Sequence, residues 1–309
     1  MRSIAVLLAL LAAVPAPLRA AGVGTTGAGL LKVQAGARSL AMGGAGTALA
    51  GDLSALLVNP AMLAPVGARS LMLMHWPGVA DNRTEYASYS VPLGSFGIWA
   101  GSVLFRSLPD IANQDAIDEP VAVSDGAILM TFARRMGGLG GAGGVSIKVF
   151  NSALGDIRAT SVAVDLGMLS QGTGRYPIRY GLSITNLGNP IKHLEAGEPL
   201  PITVRGGLSW TRGWYPHALT VAADALLNTE QNTKVAVGVE WLQAGHLAVR
   251  AGGSYNRYGG TSFTLGGGWQ FRSTVLGPEA EYHLDYAYLP FRVIDSFEPT
   301  NCFSLFVKF

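Results

Sequence analysis

From residue 69 onward, apolar and polar side chains alternate with a period of two, interrupted at intervals by Gly, Pro, Asn and Asp. In the last nine residues Phe303, Leu305, Val307 and Phe309 fall on one face. Cys302, Ser304 and Lys308 fall on the other, and Phe306 breaks the pattern. Residues 234–243 set Val235, Val237, Val239 and Trp241 against Lys234, Gly238 and Glu240. Residues 247–255 set Leu247, Val249, Ala251 and Tyr255 against Arg250, Gly252 and Ser254. Phe263, Leu265, Trp269 and Phe271 oppose Thr264, Gly266, Gly268 and Gln270 in the same way. The pattern predicts fourteen strands, at 69–76, 84–91, 95–106, 125–135, 142–151, 158–170, 177–186, 202–212, 217–227, 233–243, 247–256, 261–271, 279–289 and 301–309. Most have the length of about 9–11 residues that a tilted strand needs to cross a bilayer.

The connections keep a parity. Every even-numbered one is tight, as at Pro92-Leu93-Gly94, Gly213 to Pro216 and Ala244 to His246. Long ones, Ser107 to Ser124, Leu187 to Pro201 and Pro290 to Thr300, occur only at odd positions. Short turns on one rim and long loops on the other describe an outer-membrane barrel. Aromatics fall at two levels in this register. Trp210, Trp214, Tyr215, Trp241, Trp269, Phe271 and Phe309 lie near the short turns; Trp76, Tyr255, Tyr258, Tyr288 and Phe291 lie near the long loops. Two aromatic girdles are expected at the two membrane interfaces. The expected fold is therefore all-β, a transmembrane antiparallel barrel of about fourteen strands. A soluble β-sandwich is the competing reading, but its polar face would be rich in Lys, Glu and Asp rather than Gly, Ser, Thr and Ala.

The residues before the first strand differ in kind. Gly36 to Ala64 is almost wholly small and aliphatic, with Arg38, Ser39, Thr47, Asp52, Ser54 and Asn59 as its polar exceptions. Such a segment packs backbone against backbone in a narrow space, and buried charges within it require partners. It is expected to plug the lumen. Arg2, an apolar run from Ile4 to Val14 and small residues up to Ala20 describe a cleaved export signal, too short to span a bilayer. The expected organisation is a signal peptide at 1–20, a plug at 21–68 and a barrel at 69–309.

Composition narrows the function classes. Charged residues are 14% of the chain and hydrophobic ones 49%, with 41 glycines, well below the usual charge of soluble domains. The 22 basic and 20 acidic residues come into balance once Arg2 and Arg19 leave with the signal, so nothing electrostatic favours nucleic acid. Cys302 is the single cysteine, which excludes an intramolecular disulfide and multi-cysteine zinc. No nucleophile motif stands out, no cofactor is called for, and no enzymatic activity is expected.

The runs Gly36-Ala-Arg-Ser-Leu-Ala-Met-Gly-Gly-Ala45, Ala50-Gly-Asp-Leu-Ser-Ala-Leu56 and Asn59-Pro60-Ala61 resemble the N-terminal signature of the PorV/PorQ outer-membrane proteins, within the FadL-like superfamily. Leu284-Asp-Tyr-Ala-Tyr-Leu-Pro-Phe291 is similar to that family's last hairpin. Val58 stands where the family often has an aromatic, and Met62 where it usually has Gly. The resemblance implies fourteen strands with an N-terminal hatch in the lumen. It also implies two functions. One is non-catalytic support of type IX-like secretion or surface assembly, with secretion-system proteins or exported cargo as partners. The other is a FadL-like channel for fatty acids or other hydrophobic small molecules. Outer-membrane lipid surrounds the barrel in either case.

Several residues are singled out. Arg38 and Asp52 form either a hatch latch or two groups that satisfy backbone in a permanent plug. Asn59-Pro60 sets the turn leading to the first strand. Glu281, His283 and Asp285 share one strand face, which makes a polar patch in the lumen, as a hydrated wall or a metal or proton site. Phe309 ends the chain as a barrel-assembly signal. Asp110, Asp115, Asp118 and Glu119 make the longest loop acidic. The pairs Gly206-Gly207 and Gly252-Gly253 are candidate kinks for a lateral opening.

Overall fold

The computed structural model describes residues 24–78, 82–111, 121–137, 140–170, 172, 177–230, 232–275, 279–293 and 296–309. The export signal expected at 1–20 lies outside them. The strands are β1 (Ser70–Pro77), β2 (Arg83–Pro92), β3 (Ile98–Ile111), β4 (Val121–Met136), β5 (Gly141–Leu154), β6 (Ile157–Ser170) and β7 (Ile178–Gly188). Then come β8 (Ile191–Lys192), β9 (Gly197–Glu198), β10 (Thr203–Trp214), β11 (His217–Asn228) and β12 (Thr233–Gln243). The last are β13 (Leu247–Asn256), β14 (Gly260–Ser273), β15 (Ala280–Val293) and β16 (Ser296–Lys308). Fourteen of these close a purely antiparallel barrel in sequence order, while β8 and β9 form a separate ribbon in the loop between β7 and β10. The barrel shuts where β1 meets β16, from Ser70 opposite Lys308 to His75 opposite Phe303.

The expected strands all form, and the described parts of two of the expected long loops continue them as strand. β3 and β4 run on past residues 106 and 125, and β15 and β16 pair from Glu281–Lys308 out to Val293–Ser296. These extensions keep their backbone hydrogen bonds where alternation no longer marks them. Residues 95–96, expected as strand, belong instead to a short 3₁₀ turn, Gly94–Phe96, before β3.

Alternation sorts the two faces. On β12, Val235, Val237, Val239 and Trp241 point out and are exposed, Val237 by 59%, whereas Ala236, Gly238 and Glu240 are buried. Ile128, Met130, Ile147, Leu208, Val249, Leu265 and Leu284 extend this outward belt around the barrel. Apolar exposure on that scale belongs in hydrocarbon rather than water. Among the described residues no helix is long and apolar enough to cross a membrane. Trp214, Tyr215, Trp241, Trp269 and Phe309 ring the short-turn end outside, and Tyr255 and Tyr258 lie outside at the other. Trp76 leaves this pattern. It faces the lumen, and its Nε1 donates to Thr300 Oγ1 at 3.1 Å. Phe306 breaks the alternation because it too turns inward, buried in the core shared by plug and wall.

Residues 24–69 fill the lumen. Short turns of helix at Gly29–Lys32, Ala37–Ala41, Ser54–Leu57, Pro60–Met62 and Leu63–Val66 fold the segment back and forth, and almost every side chain in it is buried. Wall glycines make the room. A Cβ on Gly238 or Gly252 would run into Met42 and Gly43, one on Gly181 or Gly207 into Thr47, and one on Gly144 or Gly167 into Asn59 and Pro60. This overturns the reading of Gly206-Gly207 and Gly252-Gly253 as kinks: register is continuous through both pairs, and Gly207 and Gly252 serve close approach of the plug. Register shifts instead between Val164 and Leu166 on β6, and between Leu108 and Ile111 on β3.

A methyl group at Gly252 should therefore lift the plug from β13. Gly252→Ala is expected to cost about 1–3 kcal/mol by overpacking. Gly267→Ala, whose Cβ would make only an ordinary contact with Ala248 O at 3.6 Å, should stay within about 0.5 kcal/mol. Urea unfolding of the micellar protein, followed by tryptophan fluorescence, compares the two.

Candidate functional site

The strongest polar contacts lie between plug and wall. Arg38, on the plug helix Ala37–Ala41, donates from Nε and Nη2 to the two Glu240 oxygens of β12 at 2.8 and 2.7 Å, a bidentate pair. Its Nη1 donates to Ala50 O at 3.0 Å. From β13, Arg250 reaches the same Glu240 through Nε at 2.6 Å. Its Nη1 bonds Asp285 of β15 at 2.7 Å and Gly267 O at 3.1 Å. Two guanidiniums and two carboxylates thus balance, with the Arg250 side chain fully buried. Burial opposes the charge on Arg38, but Glu240 outweighs it and holds the guanidinium protonated, its pKa raised.

Asp52 does not pair with Arg38. Its Oδ1 accepts from Ser54 N at 2.9 Å and from the Ser54 hydroxyl, a local turn that uses the carboxylate within three residues. Arg38 turns instead to Glu240, whose two oxygens match its fork. The ion pair is therefore between plug and wall, and Asp52 serves backbone.

A second anchor is Asp224 on β11, whose Oδ2 accepts from Gly46 N at 2.9 Å, Thr47 N at 2.8 Å and Thr47 Oγ1 at 2.6 Å. Asn59 is a third. Its oxygen caps the turn Pro60–Met62 through Ala61 N at 3.1 Å. Its amide donates to Thr47 O at 2.9 Å and Met168 O at 3.0 Å. Pro60, which has no N–H to satisfy, opens that turn. Wall hydroxyls meet the remaining plug carbonyls: Ser183 on Val58, Ser209 on Ala48, Thr264 on Ala41 and Tyr86 on Leu53.

Glu281, His283 and Asp285 share the inward face, but they do not form one patch. His283 Nε2 pairs with Glu281 Oε1 at 2.8 Å, while Asp285 belongs to Arg250. A single Asp–His–Glu site is overturned because the buried arginine claims the aspartate, and no metal-binding cluster occurs among the described residues. Phe309 is exposed, and its backbone N donates to Arg69 O at 2.9 Å. The acidic residues Asp110, Asp115, Asp118 and Glu119 lie where side chains are not described. Sequence reasoning missed Glu240, Arg250 and Asp224 as site residues. The available signal was a lone charge at an inward position of a strand, and in register Glu240 faces Arg250 directly.

Outside the strands, Glu230 closes the plug's beginning, bonded by Lys32 Nζ at 2.9 Å and by the Thr26 hydroxyl. Burial opposes its charge, but Thr26 and Lys32 outweigh it and lower its pKa.

The arrangement defines a plugged fourteen-strand barrel. The solved structures it resembles share that fold. The toluene transporter TbuX of Ralstonia pickettii superposes with a TM-score of 0.60 at 13% identity, over 88% of this chain and 97% of that one. The CymD monoaromatic hydrocarbon channel gives 0.61 at 13% over the same shares, and a Pseudomonas aeruginosa FadL homologue 0.58 at 12%. At such identity the likeness shows the fold alone. The family model described as "Uncharacterised protein family (UPF0164)" matches residues 19–196, and the chain belongs to that family. A UPF0164 protein of Treponema pallidum (strain Nichols) is 34% identical over 174 residues, 51% of this chain and 43% of that protein. The match thus spans less than half of that relative's length.

Because Glu240 holds two arginines, Glu240→Gln should destabilise the barrel by about 3–5 kcal/mol, as breaking a buried pair does. Arg38→Met, which leaves the Glu240–Arg250 bond in place, should cost less. The temperature at which the compact, heat-modifiable gel band disappears ranks them. For Glu230, a lowered folded pKa means its contribution is present above the ordinary carboxylate pKa and lost as pH falls through the lowered value. Glu230→Gln should therefore speed hydrogen exchange in residues 24–33 at neutral pH, and the difference from wild type should vanish in strong acid.

Proposed function

We propose that the protein sits in the bacterial outer membrane as a FadL-like channel through which hydrophobic small molecules pass once the plug shifts. The observation that carries this reading is a lumenal cavity of about 290 Å³ on the long-loop side, which ends on the plug. Plug residues Val33 and Leu40 form its apolar floor, and Trp76, Leu289 and Pro290 its apolar wall. A plug tied to the wall by a few discrete ionic and hydrogen-bonded anchors is suited to a two-position element, because each anchor is either made or broken. The folds of hydrocarbon channels support the reading at the level of architecture.

The PorV/PorQ assignment and its secretion role rest on the resemblance of residues 36–61 and 284–291, and no feature of the plug or cavities favours them.

The test is uptake. Expressed in a host lacking its own channel for hydrophobic compounds, the protein should raise entry of labelled toluene or oleate several-fold over empty vector. Arg38→Ala, which frees the plug from β12, should raise it further. A folded, outer-membrane-located barrel with no uptake of either compound overturns the channel, and stoichiometric exported proteins in a native pull-down would put secretion in its place.

A further inference from the structure

Beside the apolar cavity lies a second one of about 240 Å³, sharing Lys32, Val33, Gln34 and Lys234 with it; Leu31, Leu57 and Leu226 are its apolar members and the rest of its lining is polar. Thr185, Arg205, Asn228, Asn232 and Asn256 line its walls. Its charges do not balance. Lys32 is neutralised by Glu230. Arg205, buried to nine-tenths, and Lys234 line this cavity together, and among the described residues Asp224 is the carboxylate that offsets them both. That carboxylate has already committed one oxygen to three plug donors. Its other oxygen has no hydrogen-bond partner among the described residues. Neither Arg205 nor Lys234 makes a hydrogen bond or an ion pair within 4 Å among the described residues. Two cations against one carboxylate leave a net positive charge in this lumenal pocket, which a counter-ion offsets.

The neutral side chains are arranged for the same sign. Asn228 Oδ1 accepts from Glu230 N at 3.1 Å and Asn232 N at 3.0 Å, and Asn256 Oδ1 accepts from Tyr258 N at 3.0 Å. Each asparagine has turned its oxygen to a loop backbone, which leaves the NH₂ end to donate. Asn232 Oδ1 is buried without a partner, and half a turn of that amide would offer a donor as well. The guanidinium of Arg205 presents a planar fork that matches the paired oxygens of a carboxylate or phosphate, which a spherical ion does not use.

We propose that this cavity is an oxyanion-binding site, in which Arg205 and Lys234 take a small carboxylate- or phosphate-type group and Asn228 and Asn256 donate to its remaining oxygens. The proposal rests on charge and hydrogen-bonding geometry and does not require the barrel to transport hydrocarbons.

Titration calorimetry of the full chain in a non-ionic detergent, with inorganic phosphate and with acetate as probes, tests it without any transport step. Saturable binding of at least one probe is expected. Arg205→Met and Lys234→Met should each weaken it at least tenfold, and Arg205→Lys, which keeps the charge, should weaken it less. Arg134→Met, at the short-turn rim, should leave it unchanged. Heat-modifiable migration confirms that each variant is folded. Absence of saturable binding, or equal binding by the folded Arg205→Met and Lys234→Met variants, overturns the site. Chloride that displaces phosphate at equal concentration would reduce it to a counter-ion well and overturn the oxyanion assignment.

Discussion

The structure depends on a carboxylate that cannot be left alone. Glu240 stands on the inner wall with Arg38 of the plug on one side and Arg250 of the wall on the other, both within hydrogen-bond distance. In a lumen filled with protein the dielectric is low, so each of these charges is tolerable only because the others are there. The requirement acts on the fold as a constraint. The plug must come to rest with Arg38 beside β12, and the sheet must hold β12, β13 and β15 in the register that brings Glu240, Arg250 and Asp285 together. A salt bridge of this kind adds little net stability over an apolar replacement. It specifies where the plug sits.

Packing completes what the charges begin. A wall whose inner face carries side chains would keep a folded segment of backbone at a distance. Glycines at the inward positions of β5, β6, β7, β10, β12, β13 and β14 remove that barrier where the plug touches. Close approach then exposes the plug's peptide groups to the wall. A chain that is neither sheet nor long helix leaves many of those groups unpaired, and burial would make each expensive. Serine, threonine and tyrosine hydroxyls on the strands, with Asp224 and Asn59, supply the missing partners. Small residues and hydroxyls on the inner face are therefore one device, in which each makes sense only with the other.

This explains what the sequence made legible. Strand alternation reports a face in lipid and a face that is not, so the number of strands, their order and the outer belt could be read directly. The small residues of 36–64 marked a segment meant for a confined space. What alternation cannot report is partnership. Arg38 was recognised as a buried charge, yet its partner lies 202 residues away, and only the barrel's closure brings the two together. Asp52, one of the partners considered for it, is taken by Ser54 two residues on. The glycine pairs misled in a similar way: a glycine in a strand marks close approach as readily as a kink, and the approaching group was not yet known. The strand extensions lacked a signal because alternation no longer marks them.

Asp224 joins the two halves of the lumen. One of its oxygens gathers Gly46 and Thr47 of the plug, and among the described residues its charge is the counterweight to Arg205 and Lys234. Any anion that enters the upper cavity competes with this carboxylate for the same cations, so the free energy of the anion and that of the plug contact are not independent. Linkage makes the relation reciprocal: an occupant that binds one plug position better than the other must shift the plug, and a shifted plug must change the occupant's affinity by the same factor. Lys234 tightens the coupling, because it lies against Gly44, whose carbonyl is bonded by Gln34 of the same cavity at 3.0 Å. The anchor at Glu240 is neutral and indifferent to such an occupant. The plug therefore meets the wall through two electrostatically different contacts, a balanced one at Glu240 and one at Asp224 whose carboxylate faces an excess of positive charge.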